Sequence, residues 1–206
     1  MGFLDFLFGG QKRPHVEVLP DRIWMTTTAK FAGAAREAEE RSKSETVAIL
    51  LVAHFPDVLA RLVEIAKRRV WEVPCKPILA SQLNLDLAAN LNLDESAVID
   101  ILVAERHPFP SMDDRLEKFA DELPCRCRFA HHVSLDDAVM KAFAGEWVKN
   151  VLRQLGMSEE EAIVSPLVSR RIRQAQRRIE GKALGSQDAA SAAEWLEKNC
   201  PELIQK

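Results

Sequence analysis

Two stretches of this chain, residues 46–53 (TVAILLVA) and 97–104 (AVIDILVA), run almost without polar interruption through β-branched and aliphatic side chains. A strand with one face in water alternates apolar and polar positions, whereas a strand covered on both faces does not. Two such runs demand a parallel sheet with helices on either side, and the helix-period segments between them supply that cover. Composition agrees, because Tyr is absent and aromatic residues are only 6%, which disfavours an all-β sandwich or barrel. The expected fold class is α/β, a single parallel sheet flanked by helices with a C-terminal helical extension.

Residues 22–26 (RIWMT) read as a short strand or extended lead-in, and 30–42 as a helix rich in Ala and Glu. Pro56 suits the first turn of a helix reaching about residue 69, with Val58, Leu62, Ile65 and Ala66 at helical spacing. Residues 70–73 are a further strand candidate. Residues 77–93 are ambiguous, since Leu79, Leu83, Leu87 and Leu91 recur every four positions while asparagines interrupt. Ser111 with Asp114 reads as a capping box for a helix to residue 123, and 125–133 as a third strand. Ser134 with Asp137 caps a helix that Gly156 closes. Beyond Gly156 helix alone is expected, with starts at Ser158 and Ser165 and a final helix over 186–200. The expected organisation is a tail over 1–20, an α/β domain over 21–156 and a helical extension over 157–206.

Lys and Arg number 28 against 31 Asp and Glu, so the net charge of −3 carries no whole-protein footprint for a nucleic-acid partner. The balance hides one basic helix face. Arg170, Arg171, Arg173, Arg177 and Arg178 lie opposite an apolar stripe of Val168, Ile172, Ala175 and Ile179. Such a face either meets an acidic partner or phosphates, or is simply solvated. In the tail, Phe3, Leu4, Leu7 and Phe8 share one side of a helical turn and precede Lys12 and Arg13, a pattern suited to a membrane surface or a partner groove. A frayed end packing on its own domain competes with that reading, because so short a helix is marginal alone.

The longest apolar run, residues 47–53, falls far short of the roughly 20 residues of a membrane-spanning helix. Residues 1–10 lack a leading basic region and a small-residue cleavage site, so they are not read as a secretory signal. Four irregularly spaced cysteines point to a reducing compartment. The expected location is the cytoplasm, with peripheral membrane contact through the tail.

Neither GxxxxGK[ST] nor GxGxxG nor GxSxG occurs, which removes the common phosphate loops and the hydrolase elbow. Cys125, Cys127 and His131 share one face of the third strand while His132 points away, the one metal-like grouping in the sequence. Paired zinc ligands normally sit two to four residues apart on a turn, so buried thiols beside a satisfied histidine are the competing reading and no metal is expected. His54 ends one buried run, and Glu105, Arg106 and His107 end the other. In a parallel sheet all four reach the carboxyl edge where α/β ligands bind, unless they form a salt-bridged strand end.

Residues 134–180 (SLDDAVMKAFAGEWVKNVLRQLGMSEEEAIVSPLVSRRIRQAQRRIE) resemble the passage of SecA, the preprotein translocase ATPase family, that leaves the second nucleotide-binding domain and enters the helical scaffold. Ser134, Leu135, Asp137, Met140, Phe143, Val148, residues 155–157, Ile163, Val168, Ile172, residues 175–177 and Glu180 agree in order and without gaps. Upstream, TAKF at residues 28–31, the run ending at His54, and Glu105-Arg106-His107 (the family's ERH) keep the same order, and Asp113 to Leu116 lies where the family has IDNQL. The resemblance implies a RecA-like parallel domain followed by the start of a scaffold helix.

The departures carry as much weight. Where the family continues into RGRSGRQGD, whose arginines reach the ATP phosphates, residues 115–127 read RLEKFADELPCRC; the NMAGRGTD stretch is likewise unmatched at 84–92. The family's phosphate-loop domain, cross-linking domain and zinc-binding tail have no counterpart in these residues. Arginine stabilisation of a transferring phosphoryl group is worth orders of magnitude in rate. The resemblance therefore implies a degenerate module with no ATPase activity, no cofactor and no ATP binding on this chain alone. It would work through a protein partner, such as a translocation component, accessory to protein export. Two other readings stay open: a domain that completes a partner's nucleotide site in trans through Arg106 or Arg115, and an unrelated small α/β enzyme using His54 or His107.

Overall fold

The computed structural model describes residues 15–203, with the side chains of residues 143–146 left out. Its strands are β1 (Val16–Val18), β2 (Arg22–Trp24), β3 (Ala48–Ala53), β4 (Cys75–Leu79), β5 (Val98–Val103), β6 (Arg126–Ser134) and β7 (Ile163–Val164). Its helices are α1 (Thr27–Ser42), α2 (Pro56–Lys67), α3 (Asp86–Asn90), α4 (Pro110–Glu122), α5 (Ala138–Gln154), α6 (Pro166–Glu180) and α7 (Ala192–Asn199). The strands form one sheet in the order β4-β3-β5-β6-β2-β7, with β1 also on β6. Every pairing is parallel except β7 on β2. β1 and β2 lie end to end along β6, Val18 opposite Phe129 and Arg22 opposite His132, with Pro20 between them removing a ladder donor.

The two apolar runs occupy the middle of the sheet, and β3 and β5 are buried along their whole length. Alternate residues go to opposite faces. Leu50, Val52, Ile99, Ile101 and Val103 pack with Leu116, Phe119 and Ala120 of α4, while Ile49, Leu51 and Ala53 pack with Ala38 of α1 and Leu62 of α2. At about 1.5–3 kcal/mol per fully buried aliphatic side chain, this double-sided burial is the main source of stability. The segment after Gly156 returns to the sheet: Ile172 of α6 joins Ile23, Val133 and Met140, and Ile179 joins Phe55, Val139, Trp195 and Leu196. At the turn into that segment Gly156 has φ +77°, and Met157 N–H donates to Leu152 O (3.1 Å), a left-handed helix stop.

Several local expectations are corrected. Residues 70–73 form no strand, and Val70 is 99% exposed; the strand is β4, one step later, at the sheet edge where Pro77 is tolerated. Residues 77–93 divide into the end of β4, a 3-10 turn (Ala80–Gln82) and the short α3. Pro110 takes the first position of α4, so Phe109 is the N-cap and Ser111 turns its hydroxyl to Glu180 instead (3.3 Å). Asp137, not Ser134, sits at the N-cap of α5, and its Oδ2 accepts from Ser134 N–H (2.8 Å). No helix starts at Ser158; a turn leads to β7, so the segment is not helix alone. The last helix begins at Ala192, where Ser191 Oγ accepts from Glu194 N–H (3.2 Å).

Candidate functional site

β3 hands the chain to α2 on one face of the sheet and β5 hands it to α4 on the other, so the connections diverge at the carboxyl ends of these two strands, the place where open parallel sheets usually carry their ligands. Val52 pairs with Val103 there, which brings His54 and Glu105 side by side. The backbone N–H groups of His54 and Phe55 both donate to Glu105 Oε1, at 2.9 and 3.0 Å. The structure thus gathers His54, Glu105, Arg106 and His107 at one sheet edge.

Asp113, on the buried side of α4, is the hub beneath them. Its carboxylate accepts from Arg106 Nη1 (3.1 Å), Gln176 Nε2 (2.7 Å) and His107 N–H (3.2 Å), and His54 Nε2 lies 2.8 Å from Oδ1. Burial pushes the Asp113 pKa up, but the His54 hydrogen bond and the Arg106 and His131 charges overcome it and hold the acid well below the usual range. Arg106 is 8% exposed and also donates to Asp21 Oδ1 (2.5 Å). His107 packs against Phe55, Phe109 and Trp195, and burial together with the neighbouring His54 pushes its pKa down to about 3. Gln176 also donates to His107 O (2.7 Å), so α6 is tied to the sheet edge through polar as well as apolar contacts.

Beside this hub is a cleft of about 440 Å³, lined by Lys30, Arg61, Glu105 and Lys141 and by the first turns of α2, α5 and α7. Lys30 is buried and donates to Asp137 Oδ1 (2.7 Å). Burial pushes the Glu105 pKa up to about 8 and raises that of Asp137 as well. A protonated Glu105 is a hydrogen-bond donor at neutral pH, which suits binding or positioning a ligand.

The other candidates lie elsewhere. Cys125 and Cys127 face the apolar cluster with Phe119 and Leu123, while His131 lies 3.9 Å from both Asp21 and Asp113. Among the described residues no three His, Cys, Asp or Glu side chains are placed to hold a metal ion. On α6, Arg170, Arg171, Arg177 and Arg178 are exposed; Arg173 is half-buried and pairs with Asp114. Arg115 is exposed on α4. Phe3, Leu4, Leu7 and Phe8 lie outside the described residues. No helix among the described residues is long and apolar enough to cross a membrane.

Sequence reasoning missed Asp21, Lys30, Asp113, Asp137 and Gln176. Lys30, Asp113, Asp137 and Gln176 fall in the stretches that resemble the family, and two of them carry a local signal as well: Lys30 falls in line with buried Ala34 and Ala38 on α1, and Gln176 adjoins Ala175 on the apolar side of α6. A charged or amide group on a buried helix face requires a partner.

Comparison with known proteins finds similarity to the protein translocase subunit SecA of Xanthomonas campestris pv. campestris (strain B100) and of Xanthomonas oryzae pv. oryzae (strain PXO99A). Each is 38% identical over 84 residues, 40% of this chain. The matched part spans only 9% of the length of those relatives. No protein-family model matches the chain. The partial likeness supports a SecA-like relationship.

Proposed function

We propose that this chain is a SecA-like module without catalytic activity of its own, a degenerate RecA-like domain with the start of a scaffold helix, acting through protein contacts accessory to protein export. The observation that carries this reading is the outer surface of α5 and α6. Trp147, Val151 and Leu155 stand four residues apart on α5; Trp147 is 68% and Leu155 77% exposed. On α6, Arg170, Arg177 and Arg178 make no ion pair among the described residues. Exposed Trp and Arg are the residue types that anchor protein interfaces, and unpaired arginines steer an acidic partner into place.

Other residues support the absence of nucleotide chemistry. The family's phosphate-reading arginines have no counterpart at 115–127, and Arg106 is engaged by Asp21 and Asp113. In this reading the module works in the cytoplasm against a translocation component, with the tail as an additional contact to a membrane surface. Two measurements test this. Purified chain should hydrolyse no ATP above buffer, and its binding to vesicles carrying a translocation channel should be equal with and without ATP. Hydrolysis, or binding that requires ATP, would overturn the reading in favour of a nucleotide site shared in trans. Flotation with anionic liposomes tests the tail: lipid association that survives removal of residues 1–13 would refute its role.

A further inference from the structure

Two buried imidazoles lie beneath the C-terminal helices, and neither can take a charge where it stands. His131 of β6 has no exposed surface. Its Nδ1 is 3.9 Å from Asp21 and its Nε2 3.9 Å from Asp113, beyond hydrogen-bond reach, and neither nitrogen has another partner among the described residues. A proton there would place a cation in the interior with no acceptor to receive it. His107 is kept neutral by a different contact. Its Nδ1 accepts from Phe109 N–H (2.9 Å), so a proton on that nitrogen would set donor against donor and break the bond.

Both imidazoles adjoin the ties that fasten α6 and α7 to the sheet. Gln176 Nε2 of α6 donates to His107 O and to Asp113 Oδ2, both at 2.7 Å, so Asp113 stands between Gln176 and His131. The Trp195 ring of α7 meets the His107 ring edge-on, 5.4 Å between centres. The charged and titratable groups facing His131 are Asp21 before β2, His54 after β3, Arg106 after β5, Asp113 of α4 and the neighbouring His132. Those facing His107 are His54, Asp113 and Arg115. Arg106 already engages both Asp21 and Asp113, so neither acid is free to receive a protonated His131. Burial and Arg106 accordingly pull the His131 pKa well below its usual value, and burial with His54 takes that of His107 down to about 3.

We infer that His131 and His107 make an acid-sensitive clasp: proton uptake by the two imidazoles releases α6 and α7 from the carboxyl edge of the sheet while the sheet itself stays folded. In the open form both rings reach water and bind protons below about pH 6.5, whereas the closed form excludes them. Closure therefore weakens as pH falls below about 6.5, by up to about tenfold per pH unit for each histidine. Asp113, whose pKa is held low, adds its own loss only below about pH 4, so the two steps are separated. Opening uncovers Ile172 and Ile179, the buried side of α6, next to its arginine face. The clasp stands whether or not that face meets a protein of the export machinery.

The test is amide hydrogen exchange of the full chain between pH 7 and pH 5, with rates corrected for the intrinsic pH dependence of exchange so that protection reports local opening. Protection of α6 and α7 should fall at least tenfold over that range while β3 and β5 keep theirs within about twofold. The double variant His131→Leu/His107→Asn should stay closed throughout, since Leu packs beside Phe129 without titrating and the Asn side-chain oxygen takes the bond from Phe109 N–H. Flat protection of α6 and α7 in the wild type would overturn the clasp without recourse to any variant. Equal loss in β3 and β5 would also overturn it, because that is unfolding of the whole domain. A folded double variant that opens as the wild type does would overturn the role of the two histidines. Gln176→Ala should lower the protection of α6 already at pH 7, and an unchanged value would overturn Gln176 as the tie.

Discussion

Replacing Asp113 by Ala should unfasten the C-terminal helices from the sheet. Asp113 sits among His54, Arg106, His107 N–H and Gln176 with no exposed surface. Its loss leaves Arg106, itself buried, facing Asp21 alone, and leaves the Gln176 amide with one acceptor instead of two. Removing one partner of a buried ion pair costs about 3–5 kcal/mol, because the remaining charge is left under-compensated. Against a total of about 5–15 kcal/mol for a folded domain, that is a large fraction. For a chain of this size each kcal/mol lowers Tm by about 2–4 °C, so a fall of roughly 6–20 °C is expected.

Asp113→Asn keeps the shape and loses the charge, so it should cost less than the Ala variant. It should also flatten the acid limb of the stability profile. The folded-state pKa of Asp113 is held below its unfolded value, so its contribution is complete above about pH 4 and is lost as pH falls below that. Urea titrations at pH 7 and at pH 3, followed by fluorescence, measure both effects, with buried Trp195 of α7 reporting on the C-terminal helices. A cost below about 0.5 kcal/mol for Asp113→Ala, the range of an ordinary surface substitution, would refute the hub. So would an acid limb in Asp113→Asn as steep as in wild type.

Glu105→Gln should stabilise the protein, and most at alkaline pH. The folded pKa of about 8 lies above the unfolded value, so wild-type stability falls as pH rises from about 4.5 to about 8 while the variant does not follow; parallel profiles in urea would contradict this. A Cβ on Gly33 would meet the Trp24 ring at 2.1 Å, so Gly33→Ala should destabilise by about 1–3 kcal/mol from overpacking, although Ala favours helix by about 1 kcal/mol; a raised Tm would show that Trp24 moves freely. Burial pushes the Cys75 thiol up to about 12 and raises Cys200 also, and the Cys125 hydrogen bond together with burial raises Cys127, so these thiols should react with a disulfide reagent slowly in the native state and fully in urea; fast native labelling of Cys127 would contradict its burial.

What could be read from sequence follows how local its cause was. β3 and β5 announced themselves because burial on both faces leaves no polar alternation, and their placement put His54, Glu105, Arg106 and His107 at one edge. The sequence points to 70–73 and not to β4 because Lys76 and Pro77 spoil a strand pattern, a departure that an edge strand accommodates. β1 was absorbed into the tail, since only its pairing with β6 holds Val16–Val18 extended. The capping box at Ser111 failed because Pro110 fixed the helix start one residue earlier. The Asp113 hub was hidden for a different reason: its partners His54 and Gln176 are 59 and 63 residues away, and no local pattern encodes such a meeting.

The central claim is that the surface of α5 and α6 meets a protein of the export machinery. The direct measurement is the affinity of the full chain for reconstituted translocation channels, compared with Arg170→Glu/Arg171→Glu/Arg178→Glu and with Trp147→Ala. We expect saturable binding that weakens at least tenfold in each variant and falls with added salt for wild type, while Tm stays within a few degrees. Absence of binding by the wild type, or equal affinity in all three proteins, would contradict the account.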